Sequence, residues 1–545
     1  MSNTSQEKQL KARIEKLKAE ISSLKKRKKY GLVWEDKKED VVTQCETHVP
    51  VLSEVKSKKI SDSDRKSENI IIDGDNYHAL SVLSYTHRNA IDVIYIDPPY
   101  NTGNKDFIYD DYVIDKDDAF KHSKWLSFIA RRLKLGKKLL KNNGVIFVSI
   151  DDNEFAQLKL LADEVFGDQN YIGTFIWHKK VTGGYDNKHI NTKHEYIYAY
   201  AKNKNSLVFN FDIVQSKYKE VDKYGNKFKW DSLWNIGGLT YSKSLDYAIR
   251  APDGANVYPP GERGRSFWLW SKRKVDKNIE ELKFKKNKDD EWRVYKKVYA
   301  SGAIVPSSLL NKDIVKSNTY SSREIKDMFD NIKIFDYPKP TPLIKYLLSK
   351  SINKNGCILD FFAGSGTTGQ ATLELNKEDG GNRQFILCTN NENKIAEEVT
   401  YPRIKKVIKG YADTNGLGGA LRYYKTKLVD IEKLQKIPDE RRLKLTYQAG
   451  EMIALREGVL DEVEKNDWWQ IFESNNKTVA IYFQEDKQKL RKLINKIDSG
   501  KAIILYVFSW GKNEYKNEFA EYLNIRVEDI PEPIIEVYKE INRLK

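Results

Sequence analysis

The chain has 545 residues, of which 40% are hydrophobic and 12% aromatic, and this marks a globular protein with more than one core, roughly three or four domains. A net charge of +16 from 94 Lys and Arg implies a polyanionic partner, most simply nucleic acid, without indicating any sequence preference. Cys45, Cys357 and Cys388 are widely spaced with no metal pattern, no apolar stretch is long enough to cross a bilayer, and the polar N-terminus does not resemble a signal peptide. The expectation is a reducing cytoplasm and no membrane.

Residues 4–29 read as a basic helix, with Thr4 and Glu7 at capping-box spacing and Leu10, Ile14, Leu17, Ile21 and Leu24 forming a heptad seam. The seam either docks on its own domain or meets a second copy or another subunit. Asn69 to Ile72 predicts a strand that ends in the turn Asp73-Gly74-Asp75-Asn76 and leads into a helix; such an acidic turn is also ordinary turn chemistry.

The run Ile91-Asp92-Val93-Ile94-Tyr95-Ile96 is β-branched and aromatic and is halted by Pro98 and Pro99, so it predicts a buried parallel strand. Asp97 then stands beyond its carboxyl end, where open α/β sheets bind ligands. The prolines stiffen the loop and remove two donors. A planar group with an exocyclic amine suits this loop: Asp97 and the Pro98 carbonyl accept the amine hydrogens and Tyr100 stacks on the ring. An ordinary strand-to-loop junction is the alternative.

A basic amphipathic helix over 125–141, a strand over 145–150, a helix over 155–166 and strands over 171–177 and 194–200 continue an alternation of helix and strand. His178, His189 and His194 are irregularly spaced with no cysteine nearby and read as structural. From 203 to 330 the alternation gives way to a basic, aromatic stretch containing Trp230, Trp234, Gly237-Gly238, Arg263, Arg265, Trp268, Trp270 and Lys272-Arg273-Lys274. Such a mixture suits phosphate contact and base stacking, or else a surface insertion with its own small aromatic core.

Cys357 to Asp360 predicts a second short strand, followed by Phe361-Phe362-Ala363-Gly364-Ser365-Gly366-Thr367-Thr368-Gly369, a glycine turn opening a helix. The lysine of a nucleotide phosphate loop is missing, because Thr367 and Thr368 stand there; Gly364, Gly366 and Gly369 do match a dinucleotide fingerprint. Residues 410–545 read as a small α+β domain without a nuclease cluster.

Together the two motifs resemble the β group of DNA amino-methyltransferases, with Asp97-Pro98-Pro99-Tyr100 as the catalytic motif and Phe362 to Gly366 as the cofactor loop, in permuted order. Asn101 to Asn104, Phe107 to Asp111, Asn391 to Asn393 and Glu397 to Ile404 extend the similarity to modification subunits of type III restriction-modification systems. The resemblance runs from about Asn69 to Ile404.

It implies an α/β S-adenosylmethionine-dependent methyltransferase fold, doubly wound with a mostly parallel sheet. The expected division is a basic N-terminal helix and linker at 1–60, a catalytic half at 61–202, an inserted target-recognition domain at 203–330, a cofactor half at 331–409 and the C-terminal domain at 410–545. It also implies site-specific methylation of adenine N6 in double-stranded DNA, with S-adenosylmethionine as cofactor and no metal. The alternatives are cytosine-N4 methylation or a mainly DNA-binding subunit directing a separate helicase-nuclease. The implied protein partners are a second copy and a restriction subunit. Asp97, Pro98, Pro99 and Tyr100 are the implied catalytic residues; Asp75, Lys339, Pro340, Asp360, Phe362, Gly364, Gly366, Thr367 and Glu392 are the implied cofactor residues. The transfer needs no covalent nucleophile, and no cysteine follows a proline.

Overall fold

A computed structural model describes residues 13, 34–62, 68–103, 108–109, 112–114, 117–180, 189–210, 218–235, 239–262, 264–299, 305–497, 500–510, 515, 519 and 522–542. The heptad residues Leu10 to Leu24, together with Asn104, Phe107, Asp110, Asp111, Gly237, Gly238 and Arg263, lie outside that set.

Ten strands form the main sheet: β1 (His48–Glu54), β2 (Glu68–Asp73), β3 (Ile91–Ile96), β4 (Leu140–Ile150), β5 (Tyr171–His178), β6 (His194–Ala201), β7 (Leu309–Leu310), β8 (Cys357–Asp360), β9 (Gln384–Thr389) and β10 (Ala420–Asp430). Their spatial order is β1-β10-β2-β9-β8-β3-β4-β6-β5-β7. The run from β10 through β4 is parallel, whereas β1 and β6 enter antiparallel. Helices α1 (Asn76–Thr86), α2 (Lys121–Leu139), α3 (Phe155–Phe166), α4 (Thr341–Ser351), α5 (Thr367–Asp379) and α6 (Tyr401–Lys409) accompany it. The architecture is the α/β, mostly parallel sheet that the alternation of elements predicts.

Side chains alternate across a strand, and the central strands are apolar on both faces because both faces are covered. Ile70, Ile72, Ile94, Ile96 and Leu359 join one buried cluster with Leu80 and Leu83 of α1 and Ile129 and Leu133 of α2. Ile71, Val93, Tyr95 and Ile358 face the other way, onto Leu343 and Leu347 of α4, Ala371 of α5 and Ile404 of α6.

What positions the site is the pairing of β3 with β8, where Ile358 lies opposite Val93 and Leu359 opposite Ile94. From β3 the chain runs through α2 to β4 on one side; from β8 it runs through α5 to β9 on the other. The two connections diverge, leaving a crevice at the strands' carboxyl ends, the usual ligand position in such sheets.

The edge strand β1 and its neighbour β10 come from stretches that read as linker and C-terminal domain. β1 carries Pro50, tolerable on an edge strand, and pairs with β10 from His48↔Asp430 to Glu54↔Tyr424. Beyond β10, a mixed five-stranded sheet takes the order Asp461–Lys465, Trp469–Glu473, Lys477–Tyr482, Ala502–Phe508, Ile525–Ile530. It is tied to the main sheet by buried Arg422, which meets Asp461 at 2.6 Å and Glu54 at 3.0 Å, and by the Tyr538 hydroxyl, which donates to the Pro50 carbonyl at 2.6 Å. No helix among the described residues is long and apolar enough to cross a membrane.

Residues 210–306 form a separate compact unit. Its antiparallel sheet has the order Leu282–Lys286, Trp292–Tyr299, Lys227–Ser232, Glu220–Val221. Trp268 is fully buried in its core beside Leu233 and Val294. Lysine ammoniums lie over its less buried tryptophans: Lys283 over Trp230 at 5.3 Å, Lys274 over Trp270 at 4.6 Å and Lys286 over Trp292 at 5.3 Å.

Candidate active site

At the end of β3 the chain turns through Pro98 and Pro99 into Asn101, whose φ of 59° is left-handed. Asparagine tolerates that conformation better than most residues, and here buried partners hold it. The Asn101 amide donates to Glu154 Oε1 at 2.5 Å and to the Lys121 carbonyl at 3.3 Å. The Trp125 indole donates to the Pro99 carbonyl at 2.7 Å, so of the two proline carbonyls this one is already engaged.

Asp97 lies in a charged cluster. Lys339 Nζ sits 2.8 Å and 2.7 Å from its two carboxylate oxygens and 3.5 Å from Glu195 Oε2. The Tyr100 hydroxyl lies 2.8 Å from Asp97 Oδ1 and 3.2 Å from Glu195 Oε2, and Lys179 donates to Glu195 Oε1 at 2.9 Å. Burial pushes the Tyr100 phenol well above its ordinary range, reinforced by the Asp97 and Glu195 carboxylates, so it stays a donor. Burial alone would raise the Glu195 carboxyl, but the Lys339 and Lys179 ammoniums prevail and hold it below its usual value. For Lys339 burial opposes the charge, and Asp97 and Glu195 outweigh it, keeping the ammonium protonated. Lys339 thus reaches Asp97 with its side chain, while its carbonyl accepts from Thr367 Oγ1 at 3.3 Å. Pro340, buried beside it, is the N-cap position of α4.

The glycine turn lies beyond β8. Gly364 has φ 47° and Gly366 φ 83°, conformations that side chains disfavour. A Cβ at Gly364 would come 3.1 Å from the Phe335 ring, and one at Gly366 would come 3.3 Å from Thr400 Cγ2. Gly369, in the first turn of α5, is where that helix meets both α6 and the sheet, since a Cβ there would be 2.6 Å from Ile404 Cδ1 and 3.1 Å from Leu387 Cδ1 of β9. Phe362 is half-buried, its ring 5.8 Å from that of Phe128. Beneath the turn lies a residue to which the sequence reading gave no role. Arg403 of α6 is wholly buried and donates to Ser365 Oγ at 2.9 Å, Thr367 Oγ1 at 2.8 Å and Gln370 Oε1 at 2.9 Å. Glu324 lies 3.3 Å from its other nitrogen, and Thr400 Oγ1 donates to the Gly364 carbonyl at 2.6 Å.

Asp360 turns inward, accepting from Thr368 Oγ1 at 2.6 Å and the Phe362 amide at 3.0 Å. Burial raises its carboxyl from 3.8 to about 7 despite those bonds. The native carboxyl therefore keeps its proton up to about pH 7, while the unfolded one releases it near 3.8. Between those values the native state binds more protons, so stability from this group falls as pH rises, by up to about 4 kcal/mol. Asp360→Asn is expected to flatten that slope, measured as urea midpoints of wild type and variant at about pH 5 and pH 8.

Asp75 caps α1 by accepting from the Tyr77 amide at 2.7 Å, and Arg132 lies 3.7 Å away. Its neighbour Asn76 reaches the Phe361 carbonyl at 3.1 Å, joining this turn to β8. Glu392 is exposed in a short turn after β9 and accepts from Asn390 at 3.3 Å. The structure thus gathers Asp97 to Tyr100, Lys339, Asp360 and the glycine turn around one crevice, with Glu392 at an exposed loop. Glu195 and Arg403 were the residues missed. The one signal for Glu195 was an acidic side chain within an aromatic strand.

Residues 91–400 match the family model described as DNA methylase. The chain is similar to the type III restriction-modification enzyme StyLTI Mod subunit of Salmonella typhimurium strain LT2, 35% identical over 377 residues that cover 63% of this chain and 56% of that relative. It is 33% identical over 428 residues to the EcoPI Mod subunit of Escherichia phage P1, covering 67% and 66%. It is 35% identical over 367 residues to the type II methyltransferase M.KpnI of Klebsiella pneumoniae, covering 63% and 85%. The matches thus span between half and two thirds of the two Mod subunits' length.

Proposed function

Because this chain belongs to the DNA methylase family, we propose that it is a site-specific DNA methyltransferase acting on the exocyclic N6 amine of a flipped-out adenine. The observation that carries the reading is the adjacency of Asp97 and the glycine turn at the carboxyl ends of paired strands β3 and β8. The residues present fit S-adenosylmethionine. Two glycines in left-handed conformation and the first amides of α5, which no side chain caps, suit its carboxylate end, and Phe362 suits its adenosine. When bound, that cofactor supplies an electrophilic methyl group.

The chain's own residues prepare the acceptor. The target base cannot be reached inside a duplex, so it is flipped out at a cost of a few kcal/mol, and Tyr100 offers it a stacking face. Asp97 and the Pro98 carbonyl accept the two amine hydrogens, which favours a tetrahedral nitrogen and aims its lone pair at the methyl carbon. Asp97, already holding one of the amine hydrogens, would take the proton that the nitrogen must shed once it has accepted a methyl group. Residues 203–330 would read the DNA, with the lysine-covered tryptophans of 210–306 meeting phosphates and bases. Similarity to the Mod subunits supports a role as the modification and recognition subunit of a cytoplasmic type III system, paired with a second copy and a separate helicase-nuclease.

Single-molecule sequencing of DNA from cells expressing the chain is expected to show methyladenine at one short motif. A modified cytosine amine would reassign the base. Unmodified DNA, with DNA binding retained, would overturn catalysis in favour of a binding subunit.

A further inference from the structure

The reading above asks the Asp97 carboxylate and the Pro98 carbonyl to meet an amine, yet in this structure an ammonium already spans both carboxylate oxygens. Lys339 Nζ contacts Asp97 Oδ1 at 2.8 Å and Oδ2 at 2.7 Å. Asp97 Oδ1 already accepts from Lys339 and from the Tyr100 hydroxyl, so an arriving amine hydrogen competes with the ammonium for the carboxylate, and Lys339 is buried, so water replaces a weakened contact poorly. An ammonium left without a counter-ion there would be costly. A second carboxylate lies at hand. Glu195 Oε2 is 3.5 Å from Nζ, already its weaker ion-pair partner, on a strand that enters the sheet antiparallel beside β4. Its other oxygen is held by Lys179 at 2.9 Å, which fixes the carboxylate and leaves Oε2 directed at Lys339 and the Tyr100 hydroxyl.

We propose that Glu195 is a positioning residue that receives the Lys339 ammonium from Asp97 when the substrate amine binds, making Lys339 a counter-ion with two positions. Lysine suits this because its charge is compact, its donors rotate and its stem is flexible. The two positions differ by a short swing that closes the 3.5 Å gap, so the buried charge is compensated in both. The Tyr100 hydroxyl, already shared between the same two carboxylates, swings with it. The inference rests on the methyl-transfer reading.

The test compares purified wild type, Glu195→Gln, Lys339→Met and the double variant, using radiolabelled S-adenosylmethionine and a duplex carrying the motif found by sequencing. Glu195→Gln removes the receiving charge and locks Lys339 on Asp97, so kcat is expected to fall about 100-fold while cofactor affinity holds. Adding Lys339→Met removes the locked ammonium, and the double variant is expected to recover about 10-fold over Glu195→Gln. Multiplying losses, with the double variant slower than either single one, would overturn the proposal and leave Glu195 a scaffold. Should Glu195→Gln fail to fold, a crystal structure of wild type with a cofactor product and the duplex decides: Lys339 Nζ on Glu195 supports the swing, and Nζ still spanning both Asp97 oxygens defeats it. Wild type that transfers no methyl group to any DNA would instead defeat the underlying reading.

Discussion

Asp97→Ala is expected to lower methyl transfer by about 10³-fold or more, with cofactor affinity and fold nearly unchanged. The rate term follows from geometry. Asp97 follows β3 next to the glycine turn, and the Trp125 indole has already taken the Pro99 carbonyl, so an amine meets the Pro98 carbonyl and Asp97, the latter in competition with Lys339. Without the carboxylate, one amine hydrogen has no acceptor and the nitrogen lone pair stays conjugated with its ring. Stability survives for a separate reason. The Lys339 ammonium, freed from Asp97, still has Glu195 within 3.5 Å and is not orphaned, so the cost is that of an exchanged partner, about 1–2 kcal/mol. Filter-binding assays with labelled cofactor measure the first quantity and calorimetric titration with thermal melting the second. Full activity in this variant would remove Asp97 from the reaction. Loss of folding would show that Asp97 and Lys339 act as a structural pair.

The two motif strands were legible because each carries its signal locally: a β-branched run cut by prolines at one end of the chain and an apolar run cut by glycines at the other. Their adjacency was not, since Ile94 and Leu359 meet only through a sheet order that places β9 and β8 between β2 and β3. Local pattern also hid the edges. β10 reads as part of a C-terminal domain because its pairing with β1 spans more than 350 residues and rests on backbone hydrogen bonds that leave no composition signal. Glu195 stayed hidden for a related reason. In a strand of alternating aromatics an acidic side chain reads as facing solvent, and only the tertiary fold turns it toward the ammoniums of Lys179 and Lys339. The cofactor turn was legible as glycines, but what holds it was not, because Arg403 arrives from α6, beyond both α5 and β9.

That hidden support carries the other large expected effect. Arg403→Met is expected to destabilise the protein by about 3–5 kcal/mol and to weaken cofactor binding in whatever fraction remains folded. The guanidinium is fully buried, and burial pulls its pKa down while the partly buried Glu324 is pushed up, so each group depends on the other for its charge. Methionine fills much of the volume but donates nothing. Ser365, Thr367 and Gln370 lose a partner at once, and Glu324 keeps only neutral ones, the Thr341 hydroxyl at 2.7 Å and the Gln370 amide at 3.2 Å. A buried ion pair is weak evidence of net stability, yet removing one member strands the other. The double variant Arg403→Met/Glu324→Gln should therefore regain part of the loss, because no charge is left behind. Denaturant melts of the three variants measure the coupling, and cofactor titration tests whether the regained stability also restores the turn. Recovered stability with cofactor affinity still low is the expected combination: a neutral amide of the same size fits the space of the Glu324 carboxylate, whereas the loss of the guanidinium leaves the Ser365 and Thr367 hydroxyls, among the described residues, only each other at 3.2 Å and the Lys339 carbonyl at 3.3 Å.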